Sequence, residues 1–212
     1  MKIARRGNIS PFKVMEALRE ANAYEAEGGD AIHLSLGQPG KTAPRRVREK
    51  VAELLLDDHA NIGYTEAMGL FPLRERIAQH YKDFYGVQLA PERVLVTVGS
   101  SSAMNMTLLS AFDYGDSIAL ALPCYPAYPN MLEALGLKPV FIRTTAQTNF
   151  QPTVEMLKSL PEKPDGMIIA SPSNPTGTII PEAELEAISR YCEENGIRLI
   201  SDEIYHGVTY EG

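Results

Sequence analysis

The sequence predicts an α/β fold built on a mostly parallel sheet with helices on both faces. From about residue 94 onward, short apolar runs rich in branched side chains alternate with longer segments that have helical spacing. Glycine, proline and asparagine separate these segments. Such alternation is typical of βαβ units, because parallel strands need a crossover connection that is usually a helix.

Five apolar runs are predicted as strands of this sheet. They are Val94–Val98, Ser117–Ala121, Pro139–Ile142, Gly166–Ala170 and Ile197–Ile200. The segments between them are predicted as helices, over Ser101–Phe112, Pro126–Leu135, Thr153–Ser159 and Pro181–Asn195. Because parallel strands end at the same edge of a sheet, polar residues that directly follow them are expected to share one crevice.

The segment before this alternation is predicted to be mainly helical. Helices are expected over Phe12–Glu27, from Pro44, and from about Pro72 to Tyr85. Proline in the first turn and glycine after the last turn support these bounds. Ile32–Leu36 is predicted as a short strand.

The composition favours a cytoplasmic protein over a nucleic-acid-binding or membrane protein. The net charge of -7 and the pI near 5.2 argue against polyanionic partners. Neither a signal-peptide pattern nor a run of apolar residues long enough for a membrane span occurs. Cys124 and Cys192 lack metal-ligand spacing, the histidines are scattered, and no metal site is predicted.

Two strand-end motifs carry most of the functional information. Ser171–Gly177 follows one predicted strand, and Ser201–Tyr205 follows another. Asn174, Asp202 and Tyr205 should therefore converge, and an amide, a carboxylate and a phenol together suit a polar aromatic ring. The Asn174-Pro175 bond is a candidate for a cis peptide, since X-Pro bonds adopt that form most readily.

These motifs resemble those of the fold type I, pyridoxal-phosphate-dependent aminotransferases of class I/II. The resemblance implies pyridoxal 5'-phosphate as cofactor, with Asp202 pairing with its protonated ring nitrogen. It implies that Asn174 and Tyr205 hydrogen-bond the ring's phenolic oxygen, and that Asn174 also contacts substrate. Asp202 and Tyr205 are the catalytic residues that this chain would contribute.

Two further segments fit the cofactor. Gly99, Ser100 and Ser101 open a predicted helix, whose N-terminal N–H groups favour an anion, although plain helix capping is the simpler explanation for serines there. In the family this turn binds the cofactor phosphate. Tyr125 lies between prolines and would stack on the pyridine ring by the same resemblance, whereas without it packing at a loop edge is the simpler interpretation.

Two more segments point to the substrate and to a second subunit. Ile62–Arg74 resembles the family's Tyr-Thr…Gly…Leu-Arg segment, which implies that Tyr64 reaches the phosphate site of a partner subunit in a homodimer. Leu36–Gly40 matches a Gly-x-Pro turn, which implies that Gly37 lies near the substrate carboxylate. Gly40 departs from the acidic residue usual in the family.

The resemblance covers nearly the whole chain but only the N-terminal half of the family's length. It implies a three-layer large domain, incomplete at its C-terminus, with an N-terminal helical arm. Residues 1–45 are expected to form the arm and a small-domain segment, and residues 46–212 part of the cofactor-binding domain. No lysine matches the motif of the Schiff-base lysine, which is therefore expected beyond this chain.

The expected activity is transfer of an amino group from an amino acid to a 2-oxo acid. A pyridoxal-phosphate-dependent lyase of the same fold would share Asn174, Asp202 and Tyr205, so these residues do not separate the two reactions. An inactive fragment is the third alternative, because the proton-transferring lysine is not found in the chain.

Overall fold

A computed structural model of the chain describes residues 2–37 and 42–208. Its centre is an all-parallel sheet of β1 (Ser117–Leu122), β2 (Lys138–Arg143), β3 (Gly166–Ala170) and β4 (Arg198–Asp202). The strands lie in the order β2-β1-β3-β4. The last four predicted strands are thus confirmed: β3 has the predicted bounds, and the other three differ from the prediction by one or two residues at their ends.

The α-helices of the described residues agree closely with those predicted. They are α1 (Lys13–Ala26), α2 (Arg45–Leu56), α3 (Phe71–Tyr85), α4 (Gly99–Ala111), α5 (Ala127–Leu135), α6 (Val154–Lys158) and α7 (Glu182–Glu194). Gly86 and Gly136 end α3 and α5 in the left-handed conformation that glycine adopts at low cost.

The sheet is covered on both faces. Ile118 and Leu120 of β1 point into a buried cluster with α4 and α5, whereas Ala119 and the neighbouring Met167 of β3 point into a second cluster with α7. This alternation follows from the two-residue period of a strand. Because both faces are buried, the strands are nearly continuously apolar, and the predicted three-layer α/β fold is confirmed.

The described residues fall into two compact units. One contains the sheet and is formed from Ser100 onward together with the residues up to Phe12, and the other is Lys13–Gly99. In the second unit α1 and α2 bury no side chain, while α3 buries Arg74 and Ala78. The division into segments 1–45 and 46–212 stays a prediction.

Two predicted strands are wrong. Ile32–Leu36 and Val94–Val98 form no strand, and Ile32 and Val98 are 84% and 92% exposed. A strand exists only where its backbone groups pair with a neighbour, and local apolar sequence cannot supply that neighbour. In the second segment the Val96 N–H instead donates to the Met68 carbonyl at 3.0 Å, a contact with a turn.

No helix in the described part of the chain combines the length and the apolar character needed to cross a membrane.

Candidate cofactor site

Asp202 is the last residue of β4 and lies at the carboxyl end of the sheet. Its side chain is half-buried. The Tyr128 hydroxyl donates a hydrogen bond to Oδ2 at 2.6 Å, and the Ile204 backbone N–H donates to Oδ1 at 3.1 Å. Both carboxylate oxygens are therefore held, one from helix α5 and one from the turn that follows the strand.

Tyr128 is a residue that sequence reasoning missed. It lies in the first turn of α5 and is only 4% exposed. Burial, reinforced by the hydrogen bond to Asp202, raises the pKa of its hydroxyl far above the ordinary value, so the group is a donor at neutral pH. The sequence feature that could have identified Tyr128 is its spacing of three residues from Tyr125 at the start of a predicted helix, which places both side chains on one face.

Asn174 lies half-buried in the loop that follows β3. The Asn174-Pro175 bond is cis, in agreement with the sequence-based expectation. Within the loop the Ser173 N–H donates to the Thr178 carbonyl at 2.9 Å, and the Gly177 N–H donates to the Ser173 carbonyl at 2.8 Å. Gly177 has a φ of 69°, a conformation that favours glycine. The loop is thus a defined turn that fixes the position of Asn174.

Gln151 closes this loop from the side and was also missed. Its side chain is buried, and Nε2 donates to the Ala170 carbonyl at 3.3 Å and to the Thr178 carbonyl at 2.7 Å. These two carbonyls flank the Asn174 loop. No motif marks Gln151, because its partners are distant in the sequence and meet it only in the folded chain.

Tyr205 and Asn174 line one cavity. Its volume is about 280 Å³, and Pro172, Gly177 and Val208 contribute to its wall. Tyr205 is half-buried in the turn directly after β4. The fold therefore brings together the side chains that follow β3 and β4, as the strand-end argument predicted for Asn174 and Tyr205.

Tyr125 follows β1 and packs edge-on against two aromatic rings. Its centroid lies 5.4 Å from that of Tyr128 and 5.9 Å from that of Phe12. Edge-to-face contacts of this kind favour one ring orientation. Tyr125 is half-buried and adjoins the residue that holds Asp202, so its ring lies near the same end of the sheet.

The N-terminus of α4 is a second feature of this end. Ala111, the last residue of α4, lines a cavity with Asp165 and Arg198 at the amino ends of the strands. Because Met104 and Leu108 pack the helix along the sheet, its beginning points toward the carboxyl ends. Gly99 has a φ of 75°, and Ser100 and Ser101 are exposed there, whereas Ser102 is half-buried. Exposed hydroxyls at the N-terminus of a helix suit an anion.

Tyr64 and Gly37 belong to the Lys13–Gly99 unit. The side chain of Tyr64 is fully exposed. Gly37 is exposed, and its predicted turn continues into residues 38–40, which lie outside the described residues. The roles of both residues stay predictions.

Arg74 organises the segment that carries Tyr64. It is 5% exposed, and its guanidinium donates to Glu66 Oε2 at 2.5 Å and to the Gly69 carbonyl at 3.1 Å. The guanidinium carbon also lies 5.2 Å from the centre of the Phe71 ring. A buried arginine needs such partners, so the Leu-Arg part of this motif has a structural role within the unit.

The cysteines do not form a reactive site. Burial raises the pKa of the Cys124 thiol to about 11 and raises that of Cys192 as well, which keeps both thiols protonated at neutral pH. Among the residues that the structure describes, no group of three or more His, Cys, Asp or Glu side chains could hold a metal ion.

A family model, Aminotransferase class I and II, matches residues 29–212. The chain belongs to this family. A valine–pyruvate aminotransferase of Mycobacterium tuberculosis is 43% identical over 212 residues, which are 100% of this chain and 54% of that protein. An aspartate aminotransferase of Bacillus subtilis is 30% identical over 214 aligned residues, with 100% and 54% covered.

Solved aminotransferase structures share the fold. A crystal structure of an aminotransferase from M. tuberculosis matches with a TM-score of 0.94 at 43% identity, covering 100% of this chain and 54% of that one. The aspartate aminotransferase of Thermus thermophilus with maleate matches with a TM-score of 0.93 at 28% identity, covering 100% and 56%. This chain therefore spans about half the length of the curated relatives it matches.

Proposed function

We propose that the protein carrying this chain is a pyridoxal-phosphate-dependent aminotransferase that moves an amino group from an amino acid to a 2-oxo acid. The observation that carries the proposal is Asp202, a half-buried carboxylate held on both oxygens at the carboxyl end of β4. A carboxylate in this setting suits a protonated ring nitrogen better than solvent, since burial favours a charged partner. Membership of the aminotransferase family supports the same assignment.

The donor set of this end of the sheet fits pyridoxal phosphate. Bound there, the cofactor supplies an electron sink for the substrate carbon. Asp202 would hold a proton at the ring nitrogen, and Asn174 and Tyr205, which share one cavity, would donate to the phenolic oxygen. The Tyr125 ring would cover one face of the pyridine. Gly99, Ser100 and Ser101 would bind the phosphate at the N-terminus of α4.

The remaining site residues complete the proposal. Tyr64 would contribute to the phosphate site of a second subunit, which implies a homodimer, and its full exposure is compatible with such a role. The backbone of Gly37 would lie near the substrate carboxylate. The acidic pI of about 5.2 favours neither nucleic acid nor an anionic membrane as partner, and we place the protein in the cytoplasm.

The proposal is tested with the protein as its gene encodes it. Purified protein is incubated with pyridoxal phosphate and a panel of amino acids, each paired with pyruvate or 2-oxoglutarate, and the new amino acid is quantified. Valine with pyruvate is included because the relative from M. tuberculosis carries that name. Amino transfer is expected with at least one pair.

Cofactor removal provides the control. Dialysis against a carbonyl-trapping amine should abolish amino transfer, and added pyridoxal phosphate should restore it. Release of ammonia together with a 2-oxo acid, without amino transfer, would replace the proposal by a lyase. Absence of cofactor binding would leave an inactive protein of this fold.

A further inference from the structure

Tyr128 joins the interior of the fold to the candidate cofactor site. Its ring packs in the buried cluster of β1, β3, α4 and α5, together with Leu120, Leu132 and Ile168. Its hydroxyl leaves this apolar cluster and donates to Asp202 Oδ2 at 2.6 Å. The distance is at the short end for a hydroxyl donor, as expected when the acceptor is a carboxylate.

The direction of this hydrogen bond is fixed by chemistry. Burial and the neighbouring Asp202 carboxylate raise the pKa of the Tyr128 hydroxyl, so the phenol keeps its proton. An ionised carboxylate only accepts. The edge-on contact with Tyr125, at 5.4 Å between ring centres, and the surrounding apolar side chains limit rotation of the ring. The donor is therefore preorganised before any ligand arrives.

The two donors on Asp202 come from different elements. Tyr128 holds Oδ2 from α5, whereas the Ile204 N–H holds Oδ1 from the turn after β4. Two donors on different oxygens define the plane of a carboxylate, and each oxygen retains a further lone pair for a third donor. The geometry thus leaves Asp202 oriented but still able to accept from a ligand.

We propose that Tyr128 is a positioning residue that orients Asp202 and keeps the shared proton on the cofactor's ring nitrogen, a role that rests on the proposed function. A hydrogen bond donated to a carboxylate competes with a proton for the same oxygen. Without the phenol, Asp202 would attract that proton more strongly and would also gain rotational freedom. Tyr128 itself does not touch the cofactor in this proposal, because it acts through Asp202.

The test uses pyridoxal phosphate isotopically labelled at its ring nitrogen and bound to the protein as its gene encodes it. NMR of the label reports directly whether the ring nitrogen carries a proton. We compare the wild type with Y128F, D202N and Y191F. Tyr191 is a matched control, since it is a half-buried tyrosine that packs on the α7 side of the sheet, away from Asp202.

In Y128F the nitrogen signal should move toward that of the unprotonated ring. The dissociation constant of the cofactor should rise about tenfold, as expected for loss of a hydrogen bond to a charged group. D202N should move the signal further. Y191F should match the wild type in both measurements. A lower melting temperature of Y128F with an unchanged nitrogen signal would reduce Tyr128 to a packing residue and overturn the proposal.

The design separates two failures. If D202N moves the signal and Y128F does not, the positioning role is wrong while the role proposed for Asp202 stands. If neither variant moves it, the proposed cofactor contact of Asp202 is wrong. Should Y128F fail to fold, difluorotyrosine at position 128 keeps the ring and strengthens the donor. It should move the signal opposite to the direction expected for Y128F, and no movement would count against the proposal.

Discussion

The two ends of the sheet each carry an aspartate, and their carboxylates are held in different ways. At the amino ends, exposed Asp165 Oδ2 accepts from the Ser117 N–H at 2.7 Å and from the Ser117 hydroxyl at 2.9 Å. At the carboxyl ends, half-buried Asp202 accepts from a buried phenol on α5 and from the following turn. Asp165 thus uses donors of the adjacent strand β1, whereas Asp202 uses a donor placed beneath it by a helix.

This difference separates a structural carboxylate from a functional candidate. Asp165 joins β1 to the start of β3, and its hydrogen bonds to Ser117 lower the pKa of its carboxyl group. The hydrogen bonds from Ser117 account for the conformation of the Asp165 side chain. Asp202 closes no strand pair with its side chain, yet a buried tyrosine orients it. Asp202 lies at the carboxyl ends of the strands, where open parallel sheets bind ligands, and its oxygens keep lone pairs for a further donor, so it is the better candidate for binding a ligand.

The largest expected effect distinguishes the two aspartates by activity. D202N should lower kcat/KM for amino transfer by about 10²–10³-fold, because the amide cannot stabilise a positive charge on the ring nitrogen. D165N is the matched control and should retain activity within about twofold, since its hydrogen bonds lie at the opposite end of the sheet. Steady-state kinetics of both variants provide the measurement. Equal losses in the two variants would remove the distinction between the two ends.

A second prediction concerns the loop at the carboxyl ends. Q151M keeps the length of the side chain but removes both donors to the Ala170 and Thr178 carbonyls. The free energy of unfolding should fall by about 1–3 kcal/mol, because the loop loses two hydrogen bonds donated by a buried side chain. Urea titration measures this change.

The matched control for this prediction is Q79M. Gln79 is exposed on α3, where it donates to Asp83 Oδ1 at 2.6 Å. Its replacement should change the free energy of unfolding by less than about 0.5 kcal/mol. If Q151M and Q79M changed the free energy of unfolding by the same amount, the stability of the Asn174 loop would not depend on Gln151.

The smallest expected effect is the pH dependence of the stability that Asp165 contributes at the amino ends of the strands. The pKa of Asp165 is lowered in the folded state, so its contribution to stability is present above its unfolded pKa of about 3.9. The contribution is lost as the pH falls through the lower folded pKa. D165N should therefore be less stable than the wild type at pH 7, by less than about 1 kcal/mol because the group is exposed, and equally stable in strong acid.

Urea titrations of the wild type and D165N at neutral and acidic pH measure this difference. A gap in stability between the two proteins that stayed constant down to strong acid would show that the charge of Asp165 is not its source.

Local sequence was sufficient for most helices and for β1 to β4. Gly166–Ala170, for example, is an apolar run between turn residues, and its bounds as a strand were predicted correctly. The run Val94–Val98 has a similar local character but forms no strand. Pairing requires a neighbouring backbone, and that requirement is not visible in a window of a few residues.

The sequence by itself determined the α/β class, the strand-end position of Asn174 and Asp202, and the resemblance to aminotransferases. These features depend on periodicity, turn residues and spacing, which are properties of neighbouring positions. Only the tertiary structure decided that Tyr128, 74 residues before Asp202, donates to its carboxylate, and that Gln151 closes the Asn174 loop. Buried polar groups must find partners wherever the fold provides them, and those partners are set by packing rather than by local sequence.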